Sequence, residues 1–101
     1  MPAETNMTTE PQNECARTMA IANRLGLHAR AAAQLVQLAQ KFQCEVFLEK
    51  NGESADAKSV LSLLTLECPI GTNVVVRAVG DDSRPAVQAV AELIANKFGE
   101  E

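Results

Sequence analysis

The chain has 101 residues, a formal net charge of −4, and an aliphatic composition with three Phe and no Trp or Tyr. That length allows one domain, which buries roughly 60–70% of the surface its unfolded chain would expose, so Leu, Val, Ile and Ala have to build the core. The absence of any basic run argues against nucleic acid or an anionic membrane as the main partner, and no apolar stretch approaches the ~20 residues of a membrane span.

The first residues, MPAETNMTTEPQNE, are polar and lack the apolar region of a signal peptide. They have nothing to bury, so residues 1–15 read as a disordered tail preceding one domain, 16–101. Cys15, Cys44 and Cys68 are an odd number with no metal-ligand spacing. They read as free thiols of a reduced, cytoplasmic protein, with Cys44 and Cys68 serving as small apolar packing residues. No metal and no cofactor is expected.

The first strand is expected from Arg17 to Asn23, with Met19 and Ile21 on one face and Ala20 and Ala22 on the other. A loop, Arg24 to His28, leads into a helix from Ala29 to about Phe42. Its stripe of Ala32, Leu35, Val36, Ala39 and Phe42 has the 3.6-residue period of a buried face, while Gln34, Gln37, Gln40 and Lys41 face water. Cys44 to Lys50 alternates like a strand, with Val46 and Leu48 opposite Glu45 and Phe47. Asn51–Gly52 is a strong hairpin signal because both residues tolerate positive φ. A short strand, Glu53 to Ala55, follows.

A short helix is then expected over Asp56 to Leu64, a turn at Gly71, and a β-branched strand from Asn73 to Val79. Asp82 or Ser83 is the N-cap of the last helix, and Pro85 lies in its first turn, where a missing N–H costs nothing. Val87, Val90, Ala91, Ile94 and Phe98 are its buried stripe, and Gly99 its stop. The order is β-α-β-β-α-β-α. Each helix has one apolar face to cover, so the natural packing is a four-stranded sheet with the helices on one side.

The chemistry concentrates in Asn23 to Val36, NRLGLHARAAAQLV, which holds the chain's one histidine. Gly26 ends the apolar run, and His28 stands where the helix begins. Backbone N–H groups there lack intrahelical partners and carry a partial positive charge, which favours an anion at Ala29 and Arg30. Arg30 adds a planar fork suited to phosphate oxygens. A nucleophile with an anion cradle is what a phosphohistidine needs. The spacing G-x-H-x-R is too short to be specific, however, and a histidine that merely satisfies the loop, with Arg30 solvated, fits the same residues.

GLHAR, the later KSVLSLL segment and the final amphipathic helix, in this order and spacing over about Arg17 to Phe98, resemble the HPr phosphocarriers of the bacterial phosphotransferase system. The forms NRLGLHAR and SVLSLLTL are most similar to the nitrogen-related branch, often called NPr. The resemblance implies an α+β open-faced two-layer sandwich whose antiparallel sheet has strand order 1-4-2-3. It implies that His28 and Arg30 are the catalytic pair. It also implies that Val60, Leu61 and Leu64, completed by Ala29, form an exposed apolar docking patch; Leu63 and Leu66, in a short helix with more apolar residues than it can expose, read as core. Ser59 matches the serine that HPr kinase phosphorylates in some bacteria, although a helix-capping serine would look the same. Two residues depart from the family pattern: Ala31 stands where proline is common, and Leu25 where a small polar residue is common.

The implied function is a monomeric carrier that takes a phosphoryl group on His28 from an Enzyme I-type donor and passes it to a IIA-type acceptor, in sugar transport or nitrogen regulation. It would not be an enzyme turning over a free small molecule. A second reading is a regulatory module that controls partners by docking, without carrier flux. A third, a small enzyme using His28 as general base, lacks any accompanying acid, base or metal constellation.

Overall fold

A computed structural model describes residues 13–100. Four strands form one antiparallel sheet: β1 (Glu14–Ala20), β2 (Glu45–Lys50), β3 (Glu53–Asp56) and β4 (Asn73–Val79), in the order β1-β4-β2-β3. The helices are α1 (Ala29–Ala39), α2 (Val60–Leu66) and α3 (Ser83–Ala95), followed by a 3-10 turn over Lys97–Gly99. The expected class, element order and strand order are those observed.

β4 is the strand around which the others align. Its alternation sends Val74, Val76 and Ala78 into the core. Met19 and Cys15 lie opposite Val74 and Ala78 on one side, and Leu48 and Val46 opposite Val76 and Ala78 on the other. The helices cover this face. Ala31, Ala32, Leu35, Val36 and Ala39 of α1 and Val87, Val90, Ala91 and Ile94 of α3 are buried, as is Phe98 beyond α3. Alanines on α1 let its backbone approach closely, and Leu63 and Leu66 of α2 close the core.

Among the described residues no helix covers the other face of the sheet. There the Arg77 guanidinium donates to Glu49 Oε2 at 2.6 and 2.9 Å, reaches Glu14 at 3.4 Å, and lies 4.9 Å over the Phe47 ring. One side chain thus ties three strands.

Several boundaries differ from those read in the sequence. The first strand begins at Glu14 and ends at Ala20, not Arg17 and Asn23, because its ladder runs the full length of β4, Glu14 opposite Val79 through Ala20 opposite Asn73. Glu14 and Cys15, assigned to the tail, are therefore strand residues, and the remaining tail residues 1–12 lie outside the described residues. The first helix stops at Ala39. Lys41 and Phe42 N–H then bond three residues back, and Lys58 Nζ donates to Phe42 O at 2.9 Å. The second helix starts at Val60, since Asp56 is still paired with Phe47 in β3.

Asp82 occupies the N-cap position of α3 but its carboxylate does not cap. It accepts instead from Gln43 N at 2.8 Å and Cys44 N at 2.9 Å, clamping the turn before β2. Cys44 is pinned against Gly80 there, where a Cβ would lie 2.6 Å from the Cys44 Cβ. Burial, then the Asp82 carboxylate, push the Cys44 thiol up to about 11, and burial raises Cys68, so neither is a ready thiolate.

The hydrogen bond from Gln43 N, then those involving Cys44, hold the Asp82 carboxyl below its usual range. Its folded value lies under its unfolded value, so the clamp contributes stability above the ordinary aspartate range and loses it as pH falls through the folded value. Urea unfolding at successive acidic pH values is expected to show that loss in the wild type and a flatter acid limb in Asp82→Ala. Equal slopes would mean the carboxylate does not hold this turn.

Candidate functional site

The loop from Asn23 to His28 is strung onto the loop that follows α2. Ile21 N–H donates to Thr72 O at 2.9 Å, Gly71 N–H to Ile21 O at 2.8 Å, and Leu27 N–H to Cys68 O at 2.9 Å. Gly26 sits between them at φ +67°, with its missing Cβ aimed at Cys68 O, 2.6 Å away, and the Pro69 Cα, 2.8 Å away. Only glycine fits, both for the left-handed backbone and for the contact. Leu27 is buried beside it, which turns the next residue outward.

That residue is His28, the N-cap of α1, in extended backbone at φ −82° and ψ −179°. Its carbonyl accepts the first intrahelical bond, from Ala32 N at 2.8 Å. The N–H groups of Ala29, Arg30 and Ala31 therefore have no acceptor one turn back, and they face the same end of the helix as the imidazole. Ala29 and Arg30 are exposed. The first turn of α1 holds no acidic residue to compete with an incoming anion for Arg30.

Two residues that the sequence reading did not single out complete the site. Glu100 Oε2 hydrogen-bonds His28 Nε2, and its Oε1 accepts from Asn23 Nδ2 at 3.0 Å. The same Asn23 amide donates to Gly26 O at 2.7 Å. Asn23 is fully buried, and its Oδ1 has no hydrogen-bond partner among the described residues. The Glu100 carboxyl is held below the usual range by the bond from Asn23 first, then that from His28, and also by the charge of Arg30. Lys97, Phe98 and Gly99, all at positive φ, turn the chain back after α3 so that Glu100 reaches His28. In the sequence Gly99 signals only that the helix stops, and Asn23 only that an apolar run ends.

The apolar residues of the expected docking patch lie on α2, which packs against α1. Leu61 is 76% exposed, while Val60 and Leu64 are half-buried. Leu63 and Leu66 are in the core, as read from the sequence. Leu25, 68% exposed, and Ile70, 52% exposed, were not in that patch. They stem from touching loops, one preceding Gly26 and the other following Pro69. Ser59 is the N-cap of α2, and its Oγ accepts from Ser62 N at 3.2 Å.

A cleft of about 270 Å³ lies on the open sheet face, lined by residues such as Thr18, Glu49, Asn51 and Val75, and none of the site residues borders it. Among the described residues no group of three or more His, Cys, Asp or Glu could hold a metal ion, and no helix is long and apolar enough to cross a membrane.

Comparison with known proteins shows the family and the fold. The family model described as PTS HPr component phosphorylation site matches residues 15–96. The phosphocarrier protein HPr of Cupriavidus necator is 45% identical over 84 residues, 83% of this chain and 94% of that protein. The phosphocarrier protein NPr of Shewanella violacea is 40% identical over 84 residues, 83% and 92% of the two chains. The likeness to the nitrogen-related branch is thus shared with proteins named HPr. The crystal structure of HPr from Thermoanaerobacter tengcongensis superposes with a TM-score of 0.83 at 41% identity, covering 86% of this chain and 98% of that one. A dimeric HPr structure from the same organism is also similar, with a TM-score of 0.69 at 36% identity and coverage of 95% and 99%.

The contact at Gly26 is testable by stability alone. Gly26→Ala combines left-handed strain, about 1–3 kcal/mol, with a clash against backbone atoms that cannot swing away. Gly52→Ala, at φ +83° with nothing within 4 Å of the added Cβ, carries the strain without the clash. Thermal or urea unfolding is expected to rank Gly26→Ala clearly below Gly52→Ala. Equal losses would mean the loop is not held by this contact.

Proposed function

The chain belongs to the HPr family and is a phosphocarrier of the phosphotransferase system, and on that premise we propose that His28 is the residue that carries the phosphoryl group. An Enzyme I-type donor supplies it, and a IIA-type acceptor removes it, with the carrier acting as a cytoplasmic monomer. The observation that carries this reading is the position of the imidazole at the open N-terminus of α1, beside Arg30. A dianion formed there meets unpaired N–H groups and a guanidinium. Contacts of this exposed kind are worth about 0.3–1 kcal/mol each, enough to steady the group without trapping it, which is what a carrier must do.

The phosphoryl group arrives and leaves on proteins, so the site has to be reached by two surfaces in turn rather than enclose a metabolite. Ala29, Val60, Leu61 and Leu64 supply the apolar part of that contact. Ser59 has a structural task as helix cap, and HPr kinase is its expected modifier if it also has a regulatory one. Added charge there would stand at the start of α2 and repel an acidic partner.

Incubation with Enzyme I and phosphoenolpyruvate tests the proposal. The expected product is acid-labile, base-stable phosphate on His28, passed on when a IIA-type protein is added. A chain that docks without ever taking phosphate would be a regulatory module instead. Arg30→Ala is expected to slow transfer while unfolding changes by no more than about 0.5 kcal/mol. A large stability loss with normal transfer would remove Arg30 from the site.

The docking face is tested separately. Leu61→Glu places an unpaired charge at the contact, which should cost about 2 kcal/mol or more of binding to donor and acceptor alike. With Leu61 so exposed, folding should barely change. The measurement pairs thermal unfolding with phosphorylation rates across donor concentrations, and the expected result is a raised apparent KM on a folded protein. A wild-type rate would place the docking face elsewhere.

A further inference from the structure

We propose that the flank of the sheet where β1 meets α3 is a second docking site, which takes an acidic, extended segment of a partner protein as an added strand. It shares no residue with the His28 site and does not depend on the carrier reading.

β1 is an edge of the sheet, paired with β4 alone. Which of its backbone groups face outward follows from the register. Gly80 N–H donates to Asn13 O at 2.8 Å and Ile21 N–H to Thr72 O at 2.9 Å, at the two ends of the ladder. In an antiparallel pair the hydrogen-bonded residues alternate. Cys15, Arg17 and Met19 therefore bond to β4, and the N–H and C=O groups of Ala16 and Thr18 point away from it. Among the described residues no other backbone group meets them.

That edge borders a cleft of about 220 Å³, lined by Cys15, Ala16 and Arg17 of β1 and by Arg84, Val87 and Gln88 of α3. Val87 is buried and Cys15 half-buried, so the floor is apolar. Arg17 and Arg84 are exposed. Strand alternation puts Arg17 on the face of Cys15 and Met19, which pack against the core. Arg84 enters from the first turn of α3, and Gln88 lies one turn further on.

The charge of this cleft runs against that of the chain. Acidic residues outnumber basic ones thirteen to nine, and Arg77 alone takes two carboxylates. Among the described residues, however, no carboxylate pairs with Arg17 or Arg84. Glu92, the one acid of α3, accepts from the Gln88 amide at 3.4 Å and does not line the cleft.

A row of outward backbone groups, an apolar floor and two guanidiniums thus converge on one flank. An extended segment pairs its main chain with Ala16 and Thr18 while alternate side chains enter the cleft. Carboxylates on those side chains meet guanidiniums, whose planar fork matches them. A second copy of this chain fits worse. Arg17 is the middle residue of β1, so antiparallel pairing of two copies in register sets one Arg17 against the other.

The probe is a blocked peptide of alternating glutamate and valine as long as β1, with a lysine-for-glutamate peptide as control. The full chain is titrated and followed by NMR. Shifts are expected over residues 14–20 and 83–88, with slowed hydrogen exchange at Ala16 and Thr18 and an affinity that falls with added salt. Arg84→Glu, at an exposed position, should weaken binding about tenfold or more. Thr18→Pro removes an N–H that only the added strand uses, a change an edge strand tolerates, and should weaken binding too. Wild-type affinity in Thr18→Pro would leave a charged cleft without strand addition and overturn the inference. Should Thr18→Pro not fold, exchange at Ala16 and Thr18 in the wild type decides the same point. Equal binding of the lysine peptide, shifts confined to other surfaces, or no shifts at all would each overturn it. A dimer formed through β1 without peptide would make a second copy the occupant, and the inference would fall.

Discussion

The site depends on a contact that involves no side chain at all. Gly26 lies so close to Cys68 O and the Pro69 backbone that the loop before α1 and the loop after α2 share one surface. From that contact follow the burial of Leu27, the outward turn of His28 and the place where α1 can begin. The helix start in turn decides which N–H groups are left without partners. The proposed phosphoacceptor is thus located by backbone packing, and its surroundings by the helix end it happens to cap.

Elements governed by local rules were legible in the sequence. The VVV run of β4, the Asn51–Gly52 turn, with φ +50° and +83°, and the buried stripe of α3 lie where periodicity and turn chemistry put them. What could not be read depends on which distant segments meet. The start of β1 follows from the length of its partner β4, a fact outside its own pattern. Asp82 has the residue type and position of a helix cap, yet two N–H groups some forty residues away take its oxygens. His28 and Arg30 were visible because a motif holds them together. Asn23 and Glu100 meet only because the chain folds back at Lys97–Gly99, three left-handed residues of which just one is glycine.

The helix ends show how polar groups are shared across the fold. Lys58 reaches the Phe42 carbonyl in the turn that follows α1, and Lys50 Nζ donates to Leu66 O and Glu67 O at the end of α2. Both lysines come from other elements and meet the electronegative ends of these helices, where a cation is favoured. The N-terminus of α1 receives no such side-chain cap. The helix is therefore capped by a side chain beyond its C-terminal end and left without a side-chain cap at the end that carries His28.

The sheet face that no helix covers among the described residues has a consequence for how molecules collide. Its centre is an ion-paired guanidinium lying over a ring, with Glu14 and Glu49 on either side, a surface that gives another protein little reason to stay. The large apolar side chains that are most exposed, Leu25, Leu61 and Ile70, come instead from the loops and helix around His28. Docking two specific patches is an orientational search, and it is this search that lowers association rates below the diffusion limit. With docking on the proposed apolar side, an ion-paired opposite side shortens that search, because encounters in the wrong orientation dissolve quickly and leave the chain free to try again.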